Sequence, residues 1–162
     1  IVGGVFFDAS GNIEGKRTYE HDGKGNMFEH AWYDANGKIM EKTISKYNPK
    51  GNKLEEVNYG SDGKILDKLT YKYDEKGNME GMAFYDYESL RTYKKTYRYD
   101  EEGNPVEEVK HDASGKILDK VTNKYDEKRN IVKKTFYALK TVSDETRFIP
   151  DQGWTWELTY WD

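Results

Sequence analysis

Three histidines, many carboxylates and a short run of tryptophans are the residues of this chain that could act chemically. Histidine is the usual general base, and a pair of carboxylates is what glycoside hydrolysis requires. His21 and His111 stand where equivalent segments of the chain carry tyrosine, which favours a structural role for them and no active site. His30 gives no stronger signal. The chain has no cysteine, so thiolate chemistry and zinc–thiolate sites are excluded.

One turn signal recurs ten times along the chain, at alternating intervals of 14 and 12 residues, so the true unit is 26 residues. A fixed period of this size indicates an array of similar small units. Most aspartates recur with it, and a recurring aspartate in a turn forms the turn by bonding to the backbone. The ten copies end at Gly11, Gly25, Gly37, Gly51, Gly63, Gly77, Ser89, Gly103, Gly115 and Arg129.

Each repeat unit predicts two β-strands joined by tight turns. In Lys53–Asn78, seven to ten residues separate successive turns, which is strand length and too short for a typical helix. An acidic residue at the first turn position and glycine at the fourth predict a type I turn followed by a left-handed residue. The alternation places Val57 and Tyr59 on one face of the shorter strand, opposite the side chains at the Trp32 position.

Two layouts fit a 26-residue period, a parallel β-solenoid and an antiparallel meander. The solenoid would stack Lys68 on Lys94 and build a like-charge ladder, which is destabilising. The meander instead allows Glu56 to lie opposite Lys68 and Glu108 to lie opposite Lys120. We therefore predict an all-β antiparallel meander of 26-residue hairpin repeats, an open or curled single sheet with about eleven strands up to Tyr137.

Departures from the repeat predict local changes. Ser89 and Arg129 replace a turn glycine, so we expect altered turns there. We divide the chain into a hairpin array at 1–137 and an aromatic C-terminal cap at 138–162. In this cap Trp154, Trp156 and Trp161 could bind a ligand by stacking on sugars or a partner strand, or could cover the end of the sheet.

Composition and motifs narrow the function further. Hydrophobic residues make up 35% of the chain, charged residues another 35%, and the net charge is −4. No basic stripe indicates a nucleic-acid partner, and no apolar run is long enough to span a membrane. Neither a calcium loop nor a nucleophile elbow nor a phosphate loop is present. We expect no catalytic residue, no metal and no cofactor, and we interpret Ile1 at the start as a sign of a longer, exported chain.

The turn motif resembles a known family. Tyr33-Asp34-Ala35-Asn36-Gly37-Lys38 and Tyr99-Asp100-Glu101-Glu102-Gly103-Asn104 are similar to the YD repeat of bacterial Rhs-type cell-surface and toxin-shell proteins, over roughly residues 7 to 137. The family repeat is shorter and usually carries Gly-Arg-Leu after the turn. The resemblance implies a curled, structural β shell that is extracellular, on the cell surface or periplasmic.

Three functions remain open at this stage. The first is a non-enzymatic scaffold, a structural segment of an exported bacterial surface or shell protein. The second is a binding module whose exposed tyrosine and tryptophan rows engage a polysaccharide or a protein. The third is a glycan-active enzyme that uses paired carboxylates.

Overall fold

The computed structural model describes residues 2–142 and 145–157, with side chains up to residue 137 and at residues 149 and 150. Within these residues the chain forms twelve strands, paired in sequence order in one antiparallel sheet that is not closed, and no helix. The predicted all-β meander is therefore confirmed. The strands are β1 Val2–Phe7, β2 Ile13–His21, β3 Met27–Asp34, β4 Ile39–Tyr47, β5 Lys53–Gly60, β6 Ile65–Tyr73, β7 Met79–Asp86, β8 Thr92–Tyr99, β9 Pro105–Asp112, β10 Ile117–Tyr125, β11 Ile131–Val142 and β12 Glu145–Glu157.

The sheet divides into two compact units. Unit 1 comprises Ile1–Tyr71 and Phe84–Arg91, and unit 2 comprises Lys72–Ala83 and Thr92–Asp162. The predicted division between a hairpin array and a cap after residue 137 stays a prediction. Across the described ranges, no helix is long and apolar enough to cross a membrane.

The corners between strands follow the predicted chemistry. At the corner after β8, the Gly103 amide donates to the Asp100 carbonyl at 3.2 Å, and the Asp100 amide donates to the Asn104 carbonyl at 3.1 Å. Gly103 has a φ of 84°, a left-handed conformation that costs glycine little because it lacks a Cβ. The same pair of bonds closes the equivalent corners in both units.

A β-bulge makes the observed strand register differ from the predicted one. Beside the corner after β5, Tyr59 lies opposite Ile65 as the turn requires, but Leu66 is then left without a partner on β5. The register shifts by one residue, so Lys68 lies opposite Val57 and not opposite Glu56. A one-residue shift exchanges the two faces of a strand, which is why this part of the prediction is wrong.

The second predicted charge pair is displaced in the same way. Leu118 has no partner on β9, and Lys120 lies opposite Val109 and not opposite Glu108. An extra residue in one strand is how a bulge forms. Opposite charges still meet, because Lys120 reaches diagonally to Glu107 at 2.6 Å.

The two corners without glycine behave differently. At Asp86 the turn closes on Arg91, one residue later than at the other corners, and the left-handed residue is Leu90 with a φ of 54°. The altered turn expected at Ser89 is thus confirmed, with β8 one residue shorter than β4. At the other corner the usual bonds form and Arg129 takes a φ of 66°, so the expected alteration there is wrong.

A row of small residues forms the buried part of each unit. In unit 1 Ala31 is 1% exposed and Val57 is 7% exposed, and in unit 2 Ala83 and Thr135 are also buried. Lys68 stands opposite Val57 and its ammonium pairs with Glu55 at 2.6 Å, so its aliphatic stem runs alongside Val57. Lysine stems cover apolar surface in this way while the charge stays near water.

Tyrosines at the ends of long strands tie neighbouring strands together. The hydroxyl of Tyr47, the last residue of β4, donates to the carbonyl of Met27 at the start of β3 at 2.8 Å. In unit 2, Tyr99 donates to Met79 and Tyr125 donates to Pro105, both at 3.0 Å. Val57 and Tyr59 lie two residues apart on β5 and therefore share a face, as predicted, and the β4 residues opposite them are Ile44 and Lys42.

The strain at residue 129 can be measured directly. We expect Arg129→Gly to raise the free energy of unfolding by about 0.5–1 kcal/mol, because the relief of a left-handed non-glycine residue exceeds the added chain entropy of glycine. Urea denaturation measures this difference. Glu127→Gly, in the same corner but without a positive φ, is the control and should not stabilise. Equal effects of the two substitutions would contradict the account.

Candidate functional site

The recurring aspartates are bound within their own corners. The Asp100 carboxylate accepts hydrogen bonds from the backbone amide of Asn104 at 2.7 Å and from its side-chain amide at 2.9 Å. The Asn104 side chain is the main cause that lowers the pKa of Asp100, and backbone amides add to it. Hydrogen bonds to the charged form have this effect. The pKa is also lowered at Asp8, Asp22, Asp62, Asp74, Asp86, Asp112 and Asp126.

One corner carries the neutral analogue of this arrangement. Asn48 replaces the aspartate, and its side-chain oxygen accepts the amides of Lys50 at 3.0 Å and Asn52 at 2.9 Å. A side-chain acceptor at this position therefore supports the corner without a negative charge, although the corner that begins at Gly60 forms the same two backbone bonds with no side chain there. This is the behaviour of an Asx turn.

Two glutamates each hold cations from both neighbouring strands. In unit 1 Glu55 pairs with Lys46 at 2.8 Å and with Lys68 at 2.6 Å. These partners, Lys46 first and then Lys68, lower the pKa of Glu55. Because β5 lies between β4 and β6, the Glu55 carboxylate joins three strands through charge-assisted hydrogen bonds.

In unit 2 Glu107 repeats the arrangement 52 residues later. It pairs with Lys120 at 2.6 Å and with Arg98 at 3.5 Å. The Lys120 hydrogen bond is the main cause that lowers the pKa of Glu107, and Arg98 adds to it. On the other face of β9, Glu108 pairs with Lys95 at 2.6 Å.

The three histidines lie at separate places in the sheet. His30 stacks on Tyr19 with ring centroids 4.9 Å apart, and its Nε2 is buried without a hydrogen-bond partner among the described residues. His111 lies opposite Lys94 on β8, and its Nδ1 is 3.3 Å from the Gly115 carbonyl oxygen. His21 ends β2 at the exposed edge of its corner. The described side chains hold no group of three or more potential metal ligands.

The predicted tryptophan site lies largely beyond the described side chains. Trp154 and Trp156 belong to β12, where Trp156 is opposite Lys134 of β11. Only the backbone is described at these two positions, and Trp161 lies outside the described residues. Their role in ligand binding stays a prediction.

An aromatic groove that the sequence analysis missed lies in unit 2. It has a volume of about 650 Å³ and is lined by tyrosines and charged residues, among them Tyr73, Tyr97, Tyr99, Glu80 and Arg98. Burial raises the pKa of the Tyr97 hydroxyl. Tyr73 and Tyr99 are one repeat apart, so the 26-residue period contained a signal for this groove. Aromatic rings beside carboxylates and a guanidinium can stack on a sugar and hydrogen-bond its hydroxyls.

Comparison with known proteins shows a similarity of fold to solved structures. No protein-family model and no curated protein matches the chain. A crystal structure of a porin-like protein from Bacteroides uniformis aligns with a TM-score of 0.50 and 10% identity, over 90% of this chain and 70% of that chain. That likeness concerns the fold alone.

Two crystal structures of TcdB2-TccC3 also align, each with a TM-score of 0.47 and 15% identity, over 91% of this chain. This chain spans about a tenth of the length of the TcdB2-TccC3 chain.

The charge of a corner aspartate should appear in the pH dependence of stability. The pKa of Asp100 is lower in the folded state than its ordinary value. Its contribution is therefore present above about pH 4 and is lost as the pH falls through the lowered pKa. We expect Asp100→Asn to be less stable than the wild type at pH 7 and to lose that difference at pH 2.5.

Urea denaturation at the two pH values measures the effect. The Asp100→Ala variant, which removes the acceptor as well as the charge, is the matched control and should be the least stable variant at both pH values. A wild-type advantage over Asp100→Asn that persists undiminished at pH 2.5 would contradict the assignment.

Proposed function

We propose that this chain is a non-enzymatic scaffold, a β-repeat segment of an exported bacterial surface or shell protein of the YD-repeat type. The observation that carries the proposal is that the recurring polar groups serve the architecture. The Asp100 carboxylate closes its corner and the Glu107 carboxylate joins three strands. Because these carboxylates already have structural roles, their recurrence along the chain does not require a catalytic explanation.

The proposal also fits the distribution of charge. Positive and negative side chains alternate between neighbouring strands at Lys46, Glu55 and Lys68, so the face of β4–β6 that carries these residues holds both signs. Mixed surface charge gives solubility to a sheet with few buried apolar residues. The Tyr-Asp corners on which the resemblance rests are the same corners that close the hairpins.

Location and activity together test the scaffold. Antibodies raised against the folded chain should label intact cells of the encoding organism, and the purified chain should release no reducing ends from a panel of bacterial and plant polysaccharides. Retention of the protein in the cytosol would contradict export. Hydrolysis that disappears on one carboxylate substitution, in a variant that keeps the wild-type unfolding midpoint, would establish an enzyme and overturn the proposal.

A binding module is the second candidate, and the groove at Tyr97 favours it. The groove volume of about 650 Å³ lies within the range of small-ligand sites. Its ligand on this proposal is a polysaccharide, with rings stacked on the tyrosines and hydroxyls bonded to charged neighbours such as Glu80.

A glycan array with two variants distinguishes binding in the tyrosine groove from binding by the C-terminal tryptophans. If the groove binds, Tyr97→Ala should weaken binding by roughly two- to twelvefold while Trp154→Ala/Trp156→Ala keeps it, because loss of one stacked ring removes about 0.5–1.5 kcal/mol. The reverse result would assign binding to the C-terminal tryptophans. No binding by the wild-type chain would end this candidate function.

A further inference from the structure

The first strand occupies a regular position in the repeat but lacks the cover that its counterparts have. Val5 is 26 residues before Ala31, and both belong to short strands of the array. Ala31 is 1% exposed, whereas Val5 is 47% exposed. The pairing explains the difference, because Ala31 faces Thr18 on one side and Lys42 on the other, while Val5 faces only Lys16.

The exposed side chains of β1 form a continuous apolar edge. Val2, Val5, Phe6 and Phe7 are all exposed, and Ile13 at the start of β2 continues the apolar surface. β1 has the sequence Val-Gly-Gly-Val-Phe-Phe and contains no lysine, glutamate or proline. Proteins ordinarily protect an edge strand with such residues, since its unpaired amides and carbonyls pair readily with another strand.

One face of β1 is already anchored from within unit 1. The Arg17 guanidinium lies 5.4 Å from the centre of the Phe6 ring and 6.0 Å from the Trp32 ring. This contact holds Phe6 against β2 and β3 on the face opposite to Val5 and Phe7. β1 is thereby presented as an ordered edge, which lowers the entropic cost of adding a further strand.

The repeat defines the chemistry of the strand that would complete this edge. Where a short strand lies between two long strands, the position equivalent to Val5 faces a β-branched residue, as Ala31 faces Thr18 and Val57 faces Ile44. The position equivalent to Phe7 faces a lysine, as Tyr59 faces Lys42.

The lysine contact is a cation–π interaction in both units. Lys42 lies 5.5 Å from the centre of the Tyr59 ring, and Lys120 lies 5.6 Å from the centre of the Tyr137 ring. Phe7 places an exposed aromatic ring without a phenolic hydroxyl at the equivalent position of the outer edge, so it suits a lysine from an added strand.

We propose that the outer edge of β1 binds an antiparallel β-strand of the pattern Lys-x-(Thr/Ile), with the lysine over Phe7 and the β-branched residue against Val5. This is strand addition, in which backbone hydrogen bonds give affinity and alternate side chains give specificity. The partner assignment goes beyond the scaffold role and depends only on unit 1. Failure of strand binding would leave the corner and charge-pair evidence for the scaffold unchanged.

A synthetic peptide with the sequence of Lys38–Tyr47 tests the proposal, because it carries Lys42 and Ile44 in the required order. Fluorescence anisotropy with the labelled peptide measures binding to the full chain, and amide hydrogen exchange locates it. We expect saturable binding and slower exchange of β1 amides. The Val5→Lys variant should weaken binding at least tenfold, since it places a charge on the apolar face of the edge.

Leu118→Lys is the matched control, because Leu118 is also 47% exposed but lies in β10, an internal strand. It should bind the peptide like the wild type. Equal weakening by Leu118→Lys, or no weakening by Val5→Lys, would overturn the proposal. Dimerisation of the chain through β1 that excludes the peptide would also overturn it, because the occupant would then be a second copy.

A charge exchange tests the register without relying on a loss of binding alone. Phe7→Lys should weaken binding of the original peptide at least fivefold through repulsion from Lys42 of the peptide. A peptide with Lys42→Glu should recover the lost affinity towards Phe7→Lys and should bind the wild type less well than the original peptide. Without this exchange of preference, the proposed register is wrong.

Discussion

A left-handed residue at the fourth position of an acidic corner is the constraint on which the rest of the structure depends. At Gly103 the positive φ lets the amide return to the Asp100 carbonyl, and the Asp100 side chain fixes the chain as it leaves the corner. The corner sets which residues face one another, and the bulge that follows sets which face of the sheet each side chain occupies. Repetition of this short device arranges most of the hairpins between β1 and β11.

In place of a conventional apolar core, the sheet has small buried residues, the aliphatic parts of lysine side chains, and glutamates that each bind two cations. Buried positions such as Ala31 and Val57 are small, and a lysine stands opposite each of them, Lys42 with its ammonium over the Tyr59 ring and Lys68 with its ammonium on Glu55. Glu55 and Glu107 each receive cations from two neighbouring strands, so each charge pair also joins strands within its unit. These contacts join the strands within each unit of a chain in which only 35% of the residues are hydrophobic.

The sequence predicted the hairpins because their causes are local. Glycine at a fixed distance from aspartate determines a corner, and alternation between corners determines the faces of a strand. The register was predicted incorrectly because Leu66 and Leu118, the residues that form the bulges, look like ordinary strand residues. The extra residue in the Asp86 corner could not be read from the spacing either. β8 is one residue shorter than β4, so the 26-residue period is kept.

The candidate site could be predicted less well, because it depends on contacts between strands. Alternation already places Tyr97 beside Tyr99 on one face of β8, but only the order of the strands brings Tyr73 of β6 into the same groove. The exposure of Val5 likewise follows from the neighbour that β1 lacks and not from its own residue type. For the tryptophans of β12 the sequence remains the only argument.

Nuclear Overhauser contacts between backbone protons test the central claim most directly. A meander built on these corners predicts contacts between facing residues of consecutive strands, such as Lys42 with Tyr59 and Thr96 with Val109. A solenoid would instead bring residues 26 positions apart next to each other, such as Lys94 and Lys120. Contacts of the first kind throughout the described strands are what the account predicts, and contacts of the second kind would contradict it.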